Sequence, residues 1–222
     1  MPDALVLDLD GTLIDSAADL AESVNRLLQD LDRPALSVEA VRAMIGDGLG
    51  MLAYRALTAT GAPPAKDELP DYTSRLLKHY LDPAREPRTV VYTGVFETLT
   101  AMRRGNVRLG LCTNKAQAAT ELVLKKTGLD GLMDCAVGFE LTPEPKPHPA
   151  HVQAALTHLG GPARAVMVGD SANDLKAGKA AGLPVILVTY GYGTPEALAA
   201  ADATIATFAE LPAALARLGY GE

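Results

Sequence analysis

The chain has 222 residues, of which 48% are hydrophobic and 21% are charged. This composition is typical of a soluble globular protein with one domain, or one domain and a modest insert. The formal net charge of −7 argues against a broad nucleic-acid-binding surface. No apolar run approaches the length of a transmembrane helix and no signal peptide is recognisable, so we expect no membrane partner and a cytoplasmic location.

The first predicted element is a strand at residues 4–7, a short apolar run of the kind that is buried on both faces. It is followed by two acids, Asp8 and Asp10, with Gly11 and Thr12 directly behind them. Two neighbouring carboxylates repel each other unless a cation or a shared proton lies between them. Clustered oxygen ligands suit Mg²⁺. The stretch therefore predicts a cation site at the end of a buried strand.

Residues 16–82 carry a helical pattern throughout and no strand pattern. Apolar residues recur on one face of the first helix, at Leu20, Val24, Leu27, Leu28 and Leu31. Ser16 is the expected N-cap of this helix, and Ser37 the expected N-cap of a short second one that ends at Ile45. A glycine-rich break at 46–50 precedes a third helix, and a fourth follows the break at 61–64.

Beyond a linker at 82–87, strands alternate with helices. The predicted strands are 107–112, 134–137, 165–168, 185–188 and an edge strand at 203–206. The predicted helices span 95–105, 115–126, 149–159, 173–181, 195–200 and 209–218. Such alternation predicts a doubly wound parallel α/β sheet with helices on both faces. Residues 1–15 and 84–222 are then an α/β core, and residues 16–83 a helical cap domain inserted after the first strand.

Ligands of open parallel sheets bind at the carboxyl ends of the strands, and polar residues follow four strands here. Besides the acids of the first strand, the second ends in Thr113 and Asn114, the third leads to Lys146, and the fourth ends in Asp170 with Asp174 close behind. Each residue alone has an ordinary structural explanation. Their convergence on one sheet edge predicts a functional site.

These segments resemble the haloacid dehalogenase superfamily of phosphohydrolases, whose motifs are Asp-x-Asp-Gly-Thr, a strand-ending Thr or Ser, a Lys, and Gly-Asp-x-x-x-Asp. All four occur here in that order, and the resemblance covers the whole chain. The helical insert is similar in position to the family's first class of cap. Further stretches are similar to phosphoglycolate phosphatases, including Ile-Gly-Asp-Gly, Lys-Pro-His-Pro, Gly-Asp-Ser-x-Asn-Asp and Val-Thr-Tyr-Gly-Tyr-Gly.

The resemblance implies hydrolysis of a phosphate monoester through an aspartyl-phosphate. Asp8 would be the nucleophile. Asp10 would protonate the leaving oxygen and then deprotonate the attacking water. Thr113, Asn114 and Lys146 would supply donors to the phosphoryl oxygens.

The resemblance also implies a magnesium cofactor and a phosphate-binding loop. The loop would use backbone N–H groups up to Gly11 and Thr12, because glycine permits close approach. The expected metal residues are Asp8, Asp10 through its backbone carbonyl, Asp170 and Asp174, the last holding a metal-bound water or orienting Lys146.

The expected partner is a small phosphorylated metabolite, with 2-phosphoglycolate the first candidate. Its carboxylate needs a cation or N–H groups, and the 46–50 turn, flanked by Arg42 and Arg55, is one candidate. His148 is expected to cap a helix or lie in a loop, and the 191–193 loop either borders the site or is a plain turn. Nothing in the sequence distinguishes a monomer from a homodimer.

Several alternatives remain open at this point. They are a phosphatase for another small metabolite, a sugar-phosphate mutase with the same catalytic parts, and a phospho-acceptor signalling module of receiver type. A dehalogenase is less well matched because it needs neither a metal nor a second acid.

Overall fold

The structure is a computed structural model and describes residues 1–221. The chain forms two compact units, one made of Met1–Asp15 and the chain from Val91 onward, the other of Ser16–Val90. We call them the α/β unit and the helical unit. The sequence likewise predicts a division after residue 15, but it predicts the return to the core at residue 84.

The strands found among the described residues are β1 (Ala4–Leu7), β2 (Ile14–Asp15), β3 (Val90–Val91), β4 (Arg108–Cys112), β5 (Cys135–Val137), β6 (Ala165–Gly169), β7 (Val185–Val188) and β8 (Ala203–Ile205). Six of them form one parallel sheet in the order β5-β4-β1-β6-β7-β8, while β2 pairs with β3. The first strand is therefore central, with Leu5 opposite Leu109 on one side and Val166 on the other. The predicted doubly wound α/β sheet is confirmed.

The helices are α1 (Ala17–Gln29), α2 (Val38–Arg42), α3 (Gly48–Thr60), α4 (Leu69–Leu81), α5 (Val95–Arg104), α6 (Gln117–Thr127), α7 (Pro149–His158), α8 (Ala172–Ala180), α9 (Pro195–Ala200) and α10 (Leu211–Leu215). Alternate residues of β1 enter opposite cores, because successive side chains of a strand point to opposite faces. Leu5 and Leu7 pack in the core that includes α5 and α10. Ala4 and Val6 pack in the core that includes α7 and α8. The buried sheet leaves its polar residues at the strand ends.

The helical unit consists of α1 to α4, with α1 packed against α2 and α4 and α3 packed against α4. Its core forms from the apolar stripes that the sequence predicts, including Leu20, Val24 and Leu27 of α1. Ser37 caps α2 as predicted, since its Oγ accepts a hydrogen bond from the Ala40 N–H at 3.1 Å. Ser16 is the N-cap residue of α1, as predicted, although its side chain makes no capping hydrogen bond.

A buried ion pair fixes the end of the helical unit to its beginning. The Asp19 carboxylate of α1 pairs with Arg85, and both side chains are almost fully buried. The same carboxylate accepts hydrogen bonds from the Arg88 N–H at 2.7 Å and from the Thr89 N–H and hydroxyl. Burial works against the charged carboxylate, but these hydrogen bonds and the Arg85 charge lower its pKa. Asp19 therefore holds segment 85–89 against the first turn of α1.

Several predicted helices have different bounds in the structure; the short second helix, for example, ends at Arg42 instead of Ile45. The predicted helix 115–126 begins at Gln117, because residues 113–116 form the loop that leaves β4. The predicted helix 209–218 is α10 followed by a π-type turn, Ala216–Tyr220, in which Gly219 has a φ of 84°. None of these differences moves a candidate site residue away from the sheet edge.

Candidate active site

Lys146 lies at the centre of the predicted site. Its Nζ lies 2.7 Å from Asp8 Oδ1 and 2.6 Å from Asp174 Oδ1, and all three side chains are buried. Asp8 directly follows β1, Lys146 lies in the loop between β5 and α7, and Asp174 lies in the first turn of α8. Burial works against the ammonium ion, yet Asp174 and Asp8 raise the pKa of Lys146. The lysine is therefore a fixed cation between two acids.

Three buried acids form a potential metal centre. Asp8, Asp170 and Asp174 each offer an oxygen within 4.8 Å of the others. Burial is the largest cause that raises the pKa of Asp8 to about 7, and burial followed by the Asp174 charge raises that of Asp170 well above its usual value. The single ammonium group of Lys146 does not balance the negative charge of these three acids.

Asp10 lies apart from that cluster and contacts a different lysine. Both of its carboxylate oxygens lie 3.1 Å from Lys115 Nζ. With Asp8, Asp170 and Asp174, four carboxylates face two ammonium groups, which leaves a formal charge of −2. A divalent cation with a preference for oxygen ligands balances this charge, so the residues fit Mg²⁺.

Asp174 is oriented by the start of α8 as well as by Lys146. Its Oδ2 accepts hydrogen bonds from the Asp170 N–H at 3.2 Å, the Ser171 N–H at 3.0 Å and the Ser171 hydroxyl at 2.7 Å. Together with Ser171 it forms the capping box of the helix. One oxygen of Asp174 thus stabilises the helix end while the other contacts Lys146.

The backbone of Lys146 is held on both sides by side chains. Its N–H donates to His151 Nδ1 at 3.2 Å, and its carbonyl accepts from Asn114 Nδ2 at 2.8 Å. Because His151 Nδ1 accepts, Nε2 carries the proton and donates to the Val137 carbonyl at 3.0 Å. Burial, then the Lys146 charge, lowers the pKa of His151 to about 4, so the ring is neutral near pH 7.

The other residues singled out by the sequence include Thr113, Thr12 and His148. Thr113 is buried, and its hydroxyl accepts a hydrogen bond from the Lys115 N–H at 3.2 Å. Thr12 is fully buried, and its Oγ1 makes no hydrogen bond within the described residues. His148 caps α7, accepting from the Ala150 N–H at 3.2 Å, which is the capping role that the sequence predicts.

The 191–193 loop borders the site. The Tyr192 N–H donates to Asp170 Oδ2 at 2.5 Å, and the Tyr192 hydroxyl donates to Asp15 Oδ1 at 2.9 Å. Gly11 lies against the same acid with a φ of +84°, and a Cβ there would lie 2.4 Å from Asp170 Oδ2. At Gly193 a Cβ would lie 1.8 Å from the Asp170 carbonyl oxygen. Glycine is therefore required at both positions for the loops to pack around Asp170.

Sequence reasoning missed two residues of this site. The motifs and strand ends of the sequence single out neither Lys115 nor His151. A lysine immediately after Thr113 and Asn114 was a usable signal, because its neighbours were already predicted to face the site. His151 gave no such signal, since it lies among apolar helix residues.

Comparison with known proteins places this arrangement in a family. Residues 5–188 match the model of the haloacid dehalogenase-like hydrolases. A phosphoglycolate phosphatase of Rhodospirillum rubrum is 39% identical over 218 residues, which cover 95% of this chain and 90% of the relative. The chain belongs to the haloacid dehalogenase-like hydrolase family. Within that family it is a phosphatase similar to the phosphoglycolate phosphatases.

Solved structures agree with this placement. A crystal structure of a predicted phosphoglycolate phosphatase from Haemophilus somnus superposes with a TM-score of 0.84 at 31% identity, covering 94% of this chain and 96% of the other. CbbY from Rhodobacter sphaeroides, in complex with phosphate, superposes with a TM-score of 0.83 at 25% identity, covering 97% and 100%. Across residues 1–221 no helix is both long enough and apolar enough to cross a membrane.

Proposed function

We propose that the chain is a Mg²⁺-dependent phosphate monoester hydrolase that acts through an aspartyl-phosphate on Asp8 and converts 2-phosphoglycolate to glycolate and phosphate. The main support for this proposal is the position of the Lys146 ammonium group. It lies between Asp8 and Asp174, beside Asp170, at the end of the central strand. The names of the relatives support the choice of substrate.

The proposed reaction has two displacements at phosphorus. In the first, a carboxylate oxygen of Asp8 bonds to phosphorus, the bond to the ester oxygen breaks, and Asp10 gives that oxygen a proton. In the second, Asp10 takes a proton from a water molecule, whose oxygen bonds to phosphorus while the bond to Asp8 breaks. Lys146, Thr113 and Asn114 would stabilise the phosphoryl oxygens, together with N–H groups of the loop through Gly11 and Thr12.

The carboxylates of Asp8 and Asp170 and the backbone carbonyl of Asp10 would hold Mg²⁺, with Asp174 beside them. The bound ion would neutralise the clustered carboxylates and the phosphoryl group. Asp8 itself must be ionised to attack, and Lys146 favours that form because it lies at hydrogen-bonding distance.

We further propose that the helical unit serves as a cap that excludes water during the reaction, and that the enzyme acts in the cytoplasm. The insertion point supports the cap proposal, because the helical unit begins at Ser16, directly after the segment that carries Asp8 and Asp10. Exclusion of water strengthens every charge interaction in a site of this kind.

Phosphate release from a panel of small phosphate monoesters, measured with Mg²⁺ and with excess EDTA, tests the proposal. We expect metal-dependent release, with 2-phosphoglycolate among the best substrates by kcat/KM. A sugar phosphate that ranks far above it would favour a different metabolite phosphatase. Transfer of the phosphoryl group without release would favour a mutase, and a long-lived phospho-Asp8 without turnover would favour a signalling module.

A further inference from the structure

The α/β unit buries two cationic side chains within the described residues, and the proposed mechanism uses only one of them. Lys146 is occupied by Asp8 and Asp174. Lys115 is the other, with a side chain that is 3% exposed, while its partner Asp10 is 13% exposed. A buried ammonium is costly, so its position beside the proposed acid–base residue calls for an explanation.

The distance from Lys115 to the proposed reaction centre is short. To protonate the leaving oxygen, Asp10 must approach it to roughly 3 Å. Since Lys115 Nζ lies 3.1 Å from both oxygens of Asp10, the ammonium is within about 6 Å of the leaving oxygen. In glycolate a single methylene separates that oxygen from the carboxylate. The carboxylate oxygens therefore lie roughly 3.5 Å from the ester oxygen. A charged hydrogen bond of about 2.8 Å covers the remaining distance to Lys115 Nζ.

We propose that Lys115 is a specificity residue that binds an anionic group on the leaving alcohol, one carbon from the ester oxygen. The inference rests on the proposed function and deepens it, because it defines the substrate class as monoesters of short hydroxy acids. An ammonium can serve two carboxylates at once, as Lys146 does with Asp8 and Asp174. Lys115 would likewise bind Asp10 and the carboxylate of the substrate together.

One of the two cationic candidates in the helical unit, Arg55, is already engaged in its own turn. Arg55 pairs with Asp47 and donates to the Met44 carbonyl at 2.7 Å, and its side chain is about one-third exposed. An exposed, screened ion pair contributes little to recognition, whereas a buried ammonium contributes more. Of Arg55 and Lys115, Lys115 is the one whose charge is shielded from solvent.

The test compares 2-phosphoglycolate with 2-hydroxyethyl phosphate, which has a similar leaving oxygen and no carboxylate. Both are assayed with Mg²⁺ on the wild type, Lys115→Met, Lys115→Arg and the cap variant Arg42→Met. The measured quantity is the ratio of the two kcat/KM values. This ratio does not depend on how much of each variant is folded, so a loss of stability does not obscure the result.

We expect the wild type to prefer 2-phosphoglycolate and Lys115→Met to lower the ratio about 10- to 100-fold, the effect of losing one charged hydrogen bond. Lys115→Arg and Arg42→Met should keep most of the preference. Equal loss on both substrates in Lys115→Met would overturn the inference, because Lys115 would then only hold Asp10. A ratio that falls in Arg42→Met instead would also overturn it. A wild type that hydrolyses neither ester would contradict the proposed function itself.

Discussion

Replacement of Asp19 by asparagine should strongly destabilise the helical unit. The Asp19 carboxylate is fully buried, pairs with Arg85 and accepts three further hydrogen bonds from Arg88 and Thr89. Asparagine keeps the shape but removes the charge, and its NH₂ group faces donors where an acceptor is needed. The guanidinium of Arg85 is then left buried without its counter-charge.

Breaking a buried ion pair by removing one partner costs about 3–5 kcal/mol. For a chain of this length each kcal/mol corresponds to about 2–4 °C, so the melting temperature should fall by roughly 6–20 °C. Thermal unfolding followed by far-UV circular dichroism measures this shift. The matched control is Asp30→Asn, since Asp30 is exposed and forms surface pairs with Arg75 and His79, the loss of which should cost at most about 1 kcal/mol each.

The pH dependence gives a second check on the same residue. The folded-state pKa of Asp19 is lowered, so its contribution to the free energy of unfolding is present above the unfolded pKa of about 3.9 and is lost as the pH falls through the folded value. Wild type and Asp19→Asn should therefore converge in stability in acid. A melting temperature near pH 7 that is unchanged within error, or a loss no larger than that of Asp30→Asn, would refute the reasoning.

The remaining predictions concern the proposed site. Asp8→Asn and Asp10→Asn should each abolish turnover, measured as phosphate release, and wild-type rates in Asp8→Asn would remove it as the nucleophile. Lys146→Ala should lower kcat/KM by at least about 100-fold, in line with other electrostatic catalytic groups, and an unchanged value would exclude it from the site. Excess EDTA should stop hydrolysis and added Mg²⁺ should restore it, whereas undiminished activity would contradict the metal proposal. His151→Leu leaves the Lys146 N–H without its acceptor and should cost about 1–3 kcal/mol of stability; His151→Asn, which keeps an acceptor, should cost less in the same thermal melt.

Much of the fold and the location of the site follow from local patterns. The strand at 4–7 is recognisable because it is a short apolar run that ends in acids, and the parallel sheet follows from the alternation of strands and helices. Once the strands are parallel, Asp8, Thr113 and Asp170 must lie at one edge, because each directly follows a strand. Local sequence therefore predicts which residues come near each other, but not which pairs form bonds.

The pairings that were missed join residues far apart in the chain. Lys115 and Asp10 are separated by 105 positions, and Thr89 and Asp19 by 70. Helical periodicity places His151 on the buried face of α7. The same pattern does not distinguish a histidine at this position from an apolar residue. Its role depends on the path of the loop before the helix, which brings the Lys146 N–H to its Nδ1. Irregular loops have no periodicity from which such a contact could be inferred.

The loop that carries Lys146 makes several hydrogen bonds, and these bonds hold the lysine in a fixed position. A free lysine side chain has up to about 2 kcal/mol of rotamer entropy to lose when it is fixed. Here Asp8 and Asp174 fix the ammonium, while His151 and Asn114 fix the peptide on either side. The ordering cost is therefore met during folding and not during substrate binding, which is the advantage of a preorganised charge. A lysine on an unsupported loop would carry the same charge but would have to be ordered in every catalytic cycle.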